Sequence, residues 1–311
     1  MNTPDGEAAD TLRIYGNLSL VEMAPVLLAI ERYYDGPVHL AHGGVMALWG
    51  EGSELASLAS TGRADIALNT ETQALRGAAR HPDMRFIFTV GECPYRIVAR
   101  RSAGIATLAD LRGRRVGTQI DSSADYFLDA MLNTVGLGLA DVTRVPFMMK
   151  TEKPLTLLPE ALRDGEIDAV AMWEPQVARA QNLIGDDAVA FYDPDVYTEK
   201  FSLCTTQAKL EEPAMRGRIV AFTRALIEAS RLLRTDPQPG WDLVARTSGL
   251  DRRTIRDSWG YYQFPATLAS DTLDFCERIE PWIAALEGRN PNDRAALARL
   301  IDDSVVKEAR A

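Results

Sequence analysis

Residues 163–175 read RDGEIDAVAMWEP, and residues 60–72 read STGRADIALNTET. The two stretches align without a gap. Gly62 falls on Gly165, Asp65 on Asp168, Asn69 on Met172, Thr70 on Trp173 and Glu71 on Glu174. In both, a helix pattern stops at a glycine, as helix ends favour. An aspartate then precedes a strand of small apolar residues, which ends in polar or aromatic ones. Two units of this kind imply two α/β lobes built alike, with their strand ends facing a shared cleft. In open parallel sheets ligands sit at the carboxyl ends of the strands.

Outward from these units, helix and strand patterns alternate. TLRIYG (11–16) is a short strand and VEMAPVLLAIERYY (21–34) has helical apolar spacing. DGPVHLAHGG (35–44) gives a turn, a strand and a glycine pair, and SELASLASTG (53–62) a helix with Ser53 as N-cap. RADIALN (63–69), MRFIFTV (84–90) and YRIVAR (95–100) are strands. The pattern restarts with the strand GRRVGTQ (113–119), the helix ADYFLDAMLNTVG (124–136) and the strand VTRVPFM (142–148). LPEALRDG (158–165) is a helix end and EIDAVAM (166–172) a strand. From Pro213 the remainder is mostly helical, led by the amphipathic stretch 215–234. The alternation predicts an α/β fold whose sheets are mainly parallel.

Composition excludes several classes. With 46% hydrophobic and 25% charged residues, the 311-residue chain has the make-up of a globular protein. A formal net charge of −10 argues against a nucleic-acid partner and against anionic membranes. Cys93, Cys204 and Cys276 lack CxxC spacing and read as buried or incidental thiols. His39, His42 and His81 form no metal pattern, and neither a metal nor a cofactor is expected. No apolar run is long enough to span a membrane. The start, MNTPDGEAADTLRIYG, has no basic region followed by an apolar one. The expected compartment is therefore periplasmic or lipid-anchored if a signal peptide was removed, and cytoplasmic if Met1 is the native start.

GRRVGTQIDSSADYF (113–127) raises the question of a phosphate loop or a nucleophile. It has neither GxxxxGK[ST] nor GxGxxG, and Ser122 and Ser123 are not in a GxSxG elbow. They read as the N-cap of the next helix, whose first-turn N–H groups are able to hold a ligand oxygen. Trp173 ends a strand and is read as a pocket wall. Glu174 accepts a hydrogen bond from an amine or amide ligand, or else pairs with an arginine across the cleft. Asn17, Ser19, Asn69, Thr70, Thr72 and Glu92 lie at predicted strand ends and together suggest a cleft for a small polar ligand. Cys93 is the only thiol beside this group, and His42 the sole candidate base for it. Arg13, Arg96 and Arg100 are the candidate sources of local positive charge.

GIATLADLRGRRVGT (104–118), DGEIDAVAMWEPQVARA (164–180) and SLASTGRADIALN (57–69) resemble, in order, segments of type II periplasmic binding proteins. In particular they resemble the aliphatic sulfonate, taurine and nitrate types, grouped with the thiamine-pyrimidine synthase-like superfamily. The resemblance covers about residues 11–290. It implies a two-lobed clamp: a tail at 1–10, lobe one at 11–96, lobe two at 97–199, and a return to lobe one with C-terminal helices at 200–311. YRIVAR (95–100) and the stretch near FSLCTT (201–206) would be the hinge strands. Carried over by motif, Asn17, Asn69, Thr70, Ser122, Ser123, Trp173 and Glu174 surround the cleft, with Ser19, His42 and Glu92 as further candidates. The implied function is capture of a small organic anion or nitrogenous solute for an ABC permease, by a monomer that closes on its ligand. Enzymes of the same fold are the alternative, as is a ligand sensor. The pyrimidine synthases carry a CCCFC motif that is absent here. The desulfinases carry a cysteine after an asparagine in the first strand-to-helix loop, where YGNLSL has Leu18.

Overall fold

A computed structural model of the chain describes residues 10–52, 62–146 and 157–311. The helix expected at 53–62 and the end of the strand expected at 142–148 lie outside the described residues, as does the tail up to residue 9. The strands are β1 (Leu12–Gly16), β2 (Val38–His42), β3 (Ile66–Asn69), β4 (Met84–Pro94), β5 (Arg96–Arg100), β6 (Arg115–Thr118), β7 (Thr143–Pro146), β8 (Ala169–Met172), β9 (Ala188–Phe191) and β10 (Thr198–Thr206). The helices of the first half are α1 (Ala24–Arg32), α2 (Glu71–Arg80), α3 (Ser123–Asn133), α4 (Leu157–Arg163) and α5 (Gln176–Ile184). The second half adds α6 (Gln207–Glu211), α7 (Pro213–Thr235), α8 (Gln238–Ser248), α9 (Arg252–Trp259), α10 (Thr272–Leu286), α11 (Arg294–Ala298) and α12 (Ser304–Arg310).

The strands form two five-stranded sheets, ordered β2-β1-β3-β10-β4 and β7-β6-β8-β5-β9. Strand position follows composition. The inner strands β3 (IALN) and β8 (AVAM) are buried at every residue, whereas β2 (VHLAH), an outer strand, carries two histidines and is buried at none. Apolar residues on both faces suit a strand covered by helices on both sides.

The chain passes between the sheets twice, at Tyr95 between β4 and β5 and across residues 192–197 between β9 and β10. Each passage delivers a strand that runs against its new neighbours. β5 is antiparallel to β8 and β9, and β10 is antiparallel to β3 and β4. Only β1–β2, β1–β3, β6–β7 and β6–β8 are parallel. The sheets are thus mixed rather than mainly parallel. The crossover strands enter from the other lobe, not by a helical return from their own. The outer edge of β4 is covered by the C-terminal segment, through Phe86 N to Leu300 O (2.7 Å) and Thr89 N to Thr267 O (2.9 Å). A paired edge is no template for aggregation.

The matched sequence units do the same job in both sheets. Asp65 accepts from the Arg13 backbone N–H (2.9 Å) and pairs with its guanidinium (2.8 Å), joining β3 to β1. Asp168 accepts from the Arg115 backbone N–H (2.9 Å) and pairs with its guanidinium (2.7 Å), joining β8 to β6.

Candidate functional site

A narrow cavity of about 40 Å³ lies where the two sheets meet. Asn17, Leu20 and Glu22 reach it from the β1–α1 connection, and Asn69, Thr70 and Gln73 from the end of β3 and the start of α2. Gln119, Ser122 and Ser123 come from the β6–α3 turn, and Trp173 follows β8. Tyr95 sits at the first crossover, and Glu199 and Phe201 stand on β10, just past the second. The carboxyl ends of β1, β3, β6 and β8 therefore converge on one space, as open α/β sheets arrange them.

Six sequence-derived candidates line this space: Asn17, Asn69, Thr70, Ser122, Ser123 and Trp173. Several are also turn residues. Asn17 Oδ1 accepts from Ser19 N (3.1 Å), and Asn69 Oδ1 from Thr70 N (3.0 Å). Ser122 is the N-cap of α3, accepting from Ala124 N (3.1 Å) while its hydroxyl donates to Gln119 O (2.6 Å). The Ser123 hydroxyl meets that of Tyr95 at 3.0 Å.

Four candidates stand outside the lining. Glu174 is buried, accepting from Arg96 Nε (2.7 Å) and pairing with its Nη2 (2.5 Å), so the arginine alternative is the one realised. The turn after β8 points Trp173 toward the cavity and the next side chain away from it. Glu92 pairs with Lys200 Nζ (2.7 Å), which also meets Asp271 (2.9 Å). His42 accepts from Leu18 N through Nδ1 (3.4 Å) at the exposed end of β2, and Ser19 is held in the Asn17 turn. Arg13, Arg96 and Arg100 bring no positive charge to the lining, because their guanidinium groups are committed to Asp65, Glu174 and Asp187. Among the described residues, no lysine or arginine lines the cavity.

The lining instead holds two carboxyl groups that strand-end reasoning missed. Glu22 and Glu199 are almost fully buried, line the same cavity and influence each other's titration. Burial raises the Glu22 carboxyl to about 7, and burial together with the neighbouring Glu22 pushes Glu199 well above the carboxylate range. Removing a charge from water disfavours the ionised form, and two acids side by side disfavour it further. Glu22 Oε2, Glu199 Oε2, Gln119 Oε1 and Trp173 Nε1 have no hydrogen-bond partner among the described residues. A sequence signal was present for Glu22, which stands in the apolar setting SLVEMAPVLL, where an unpaired charge is costly, but not for Glu199, which has Lys200 beside it.

The crossovers are tied to the site. Tyr95 and Tyr197, one at each passage, pack edge to face with ring centroids 5.0 Å apart. Tyr197 donates to Glu71 (2.6 Å), which also accepts from Lys200 N (3.1 Å). Glu71 and Glu174, equivalent in the matched units, thus each fasten the strand that follows a crossover. Cys93 is buried, and burial pushes its thiol well above its ordinary value, the reverse of what a nucleophile needs. His42, the candidate base for Cys93, lies outside the cavity lining. The described residues contain no cluster of metal-binding side chains and no helix long and apolar enough to cross a membrane.

A model of the family described as NMT1/THI5 like matches residues 48–239. The chain belongs to that family. It is 24% identical over 190 residues to a putative thiamine biosynthesis protein of Haemophilus influenzae, covering 59% of this chain and 57% of that one. It is 28% identical over 165 residues to a putative aliphatic sulfonates-binding protein of Escherichia coli, covering 51% and 47%. The chain spans about half the length of these curated relatives. The alkanesulfonate-binding protein SsuA from Xanthomonas axonopodis pv. citri, solved with MOPS bound, superposes with a TM-score of 0.68 at 18% identity. That match covers 96% of this chain and 99% of the other, and it shows the two-lobed periplasmic-binding-protein fold.

Proposed function

We propose that this NMT1/THI5-like protein is a receptor that captures a small nitrogenous solute between two lobes and presents it to an ABC permease. Residues 11–96 and 200–311 form one lobe in this reading, and residues 97–199 the other. The receptor works as a monomer in the periplasm. Relatives named as binding proteins and the fold of SsuA support the receptor role. One observation favours a nitrogenous solute over an organic anion. The cavity is lined by Glu22, Glu199 and aromatic rings, with no cation among the described lining residues to meet a sulfonate. A permanent anion placed against two buried carboxyl groups would be desolvated without a counter-charge. Ser122, Ser123 and the first turn of α3 hold the polar end of the solute as the lobes close.

A thermal-shift screen of amines, amidines, pyrimidines, nitriles, aromatic acids and sulfonates tests this. A true ligand at a hundred times its Kd adds about 2.7 kcal/mol of stability. Stabilisation by a nitrogenous class supports the reading, and stabilisation by sulfonates alone overturns the choice of ligand. A second reading, an enzyme on this scaffold, draws on Glu22, whose carboxyl at about 7 suits a general acid or base. Turnover of a bound compound, lost in Glu22→Gln, would favour it.

A further inference from the structure

Two buried acids share a cavity whose described lining holds no cation, a costly arrangement for a fold. Glu22 enters from the short turn Val21–Met23, and Glu199 from β10. The groups around them are mostly neutral or acidic. Glu22 faces Tyr262 of the C-terminal segment and Glu174 after β8, while Glu199 faces Tyr95 at the crossover and Glu71 at the start of α2. Cys93 of β4 lies in the same cluster, where burial keeps its thiol neutral. Arg96, also in the cluster, is held by Glu174. Each acid presents an unpartnered Oε2, and two further buried atoms in the lining, Trp173 Nε1 and Gln119 Oε1, have no partner among the described residues.

We propose that the Glu22–Glu199 pair receives a planar monocation with adjacent N–H donors, of the amidinium, guanidinium or protonated amino-heterocycle class, in exchange for a proton. This rests on the reading of the protein as a receptor for nitrogenous solutes. Before binding, and below about pH 7, the pair is neutral. On binding, one carboxyl O–H bond breaks and its proton passes to solvent. The resulting carboxylate and the incoming cation form a charge-assisted pair of N–H···O bonds, so the cavity stays neutral. The fork of an amidinium matches a carboxylate in a way that a compact ammonium does not. Gln119 Oε1 accepts a further N–H, Trp173 Nε1 donates to an acceptor on the ligand, and the rings of Trp173, Tyr95 and Phe201 enclose its flat body.

The exchange predicts a pH dependence with a definite sign. Below about 7 the cation must displace a proton, and above it the carboxylate is already formed. For a permanent cation, affinity therefore rises by about tenfold between pH 6 and pH 8 and then levels.

Isothermal titration with benzamidine at both pH values, each in two buffers of different ionisation enthalpy, counts the protons. Benzamide and benzenesulfonate serve as the neutral and anionic isosteres. The expected result is about one proton released at pH 6 and few at pH 8, with loss of a protonated-carboxyl infrared band on binding. Glu22→Gln and Glu199→Gln keep the shape of the side chain, and each should weaken benzamidine by tenfold or more, while Glu22→Gln should also abolish the pH dependence. Circular dichroism checks that the variants fold. Benzamide binding as tightly as benzamidine, or benzamidine binding without proton release, overturns the cation exchange and leaves the nitrogenous receptor standing. Benzenesulfonate binding alone overturns both, and binding of none of the three overturns the exchange.

Discussion

Arg96 and Glu174 form an ion pair whose side chains are 2% and 0% exposed, joining the first residue of β5 to the turn after β8. Arg96 also donates to Gln181 (2.8 Å) and lies over the ring of Tyr261, 4.2 Å from its centroid. The pair thus pins a crossover strand to α5 and to the C-terminal region at once. Removing one partner strands a buried charge. Arg96→Ala is expected to cost about 3–5 kcal/mol in urea unfolding. A loss under about 1 kcal/mol would show that the pair is not holding the junction.

Stability should fall as pH rises through neutrality. Burial lifts the Glu22 carboxyl from 4.5 to about 7, so the folded state holds a proton that the unfolded chain has released. The resulting stability is fully present below about pH 4.5 and is lost as pH rises through about 7. Its size is about 3 kcal/mol by linkage. Urea unfolding from pH 5 to pH 8 measures it, and Glu22→Gln should flatten that part of the profile.

Asp65 and Asp168 make matching contacts at different depths. Asp65 is 1% exposed against 36% for Arg13, whereas Asp168 is 14% exposed against 46% for Arg115. Asp65→Ala removes the buried carboxylate that joins β3 to β1 and should cost about 2–3 kcal/mol. Asp168→Ala, with water at hand to replace the carboxylate, should cost about 1 kcal/mol. The reverse order in thermal unfolding would refute the burial argument.

Ser122 and Trp173 separate positioning from packing. Ser122→Ala removes the cap of α3 and should cost about 1 kcal/mol, whereas Ser122→Gly should cost only a few tenths. Trp173→Phe keeps a ring but deletes the Nε1 donor. It should leave the melting temperature nearly unchanged and weaken a ligand found in the screen about fivefold to tenfold, a change titration calorimetry detects.

Tyr197 ties the second crossover to Glu71 through a 2.6 Å hydrogen bond, and Lys200 N supplies another donor at 3.1 Å. Tyr197→Phe leaves one buried carboxyl oxygen without its hydroxyl donor and is expected to cost about 1–3 kcal/mol. Hydrogen exchange along β10 should rise in this variant relative to α7, which lies outside that contact.

The sequence by itself determined whatever rests on neighbours along the chain. The matched stretches around Asp65 and Asp168, the alternation of helix and strand, and the turn chemistry of Asn17, Asn69 and Ser122 are local. Each is legible because a period of two or of 3.6, a stop glycine or a capping hydroxyl acts within a few residues. Only the tertiary structure decided that β10 slots between β3 and β4, making the sheets mixed, since no local pattern names a strand's partners. It also decided the direction of adjacent side chains, sending Trp173 to the cavity and Glu174 to Arg96. Most of all, it brought Glu22 of an early turn against Glu199 of a late strand. That meeting requires both crossovers, and the low dielectric that makes it costly exists only once the lobes have packed around it.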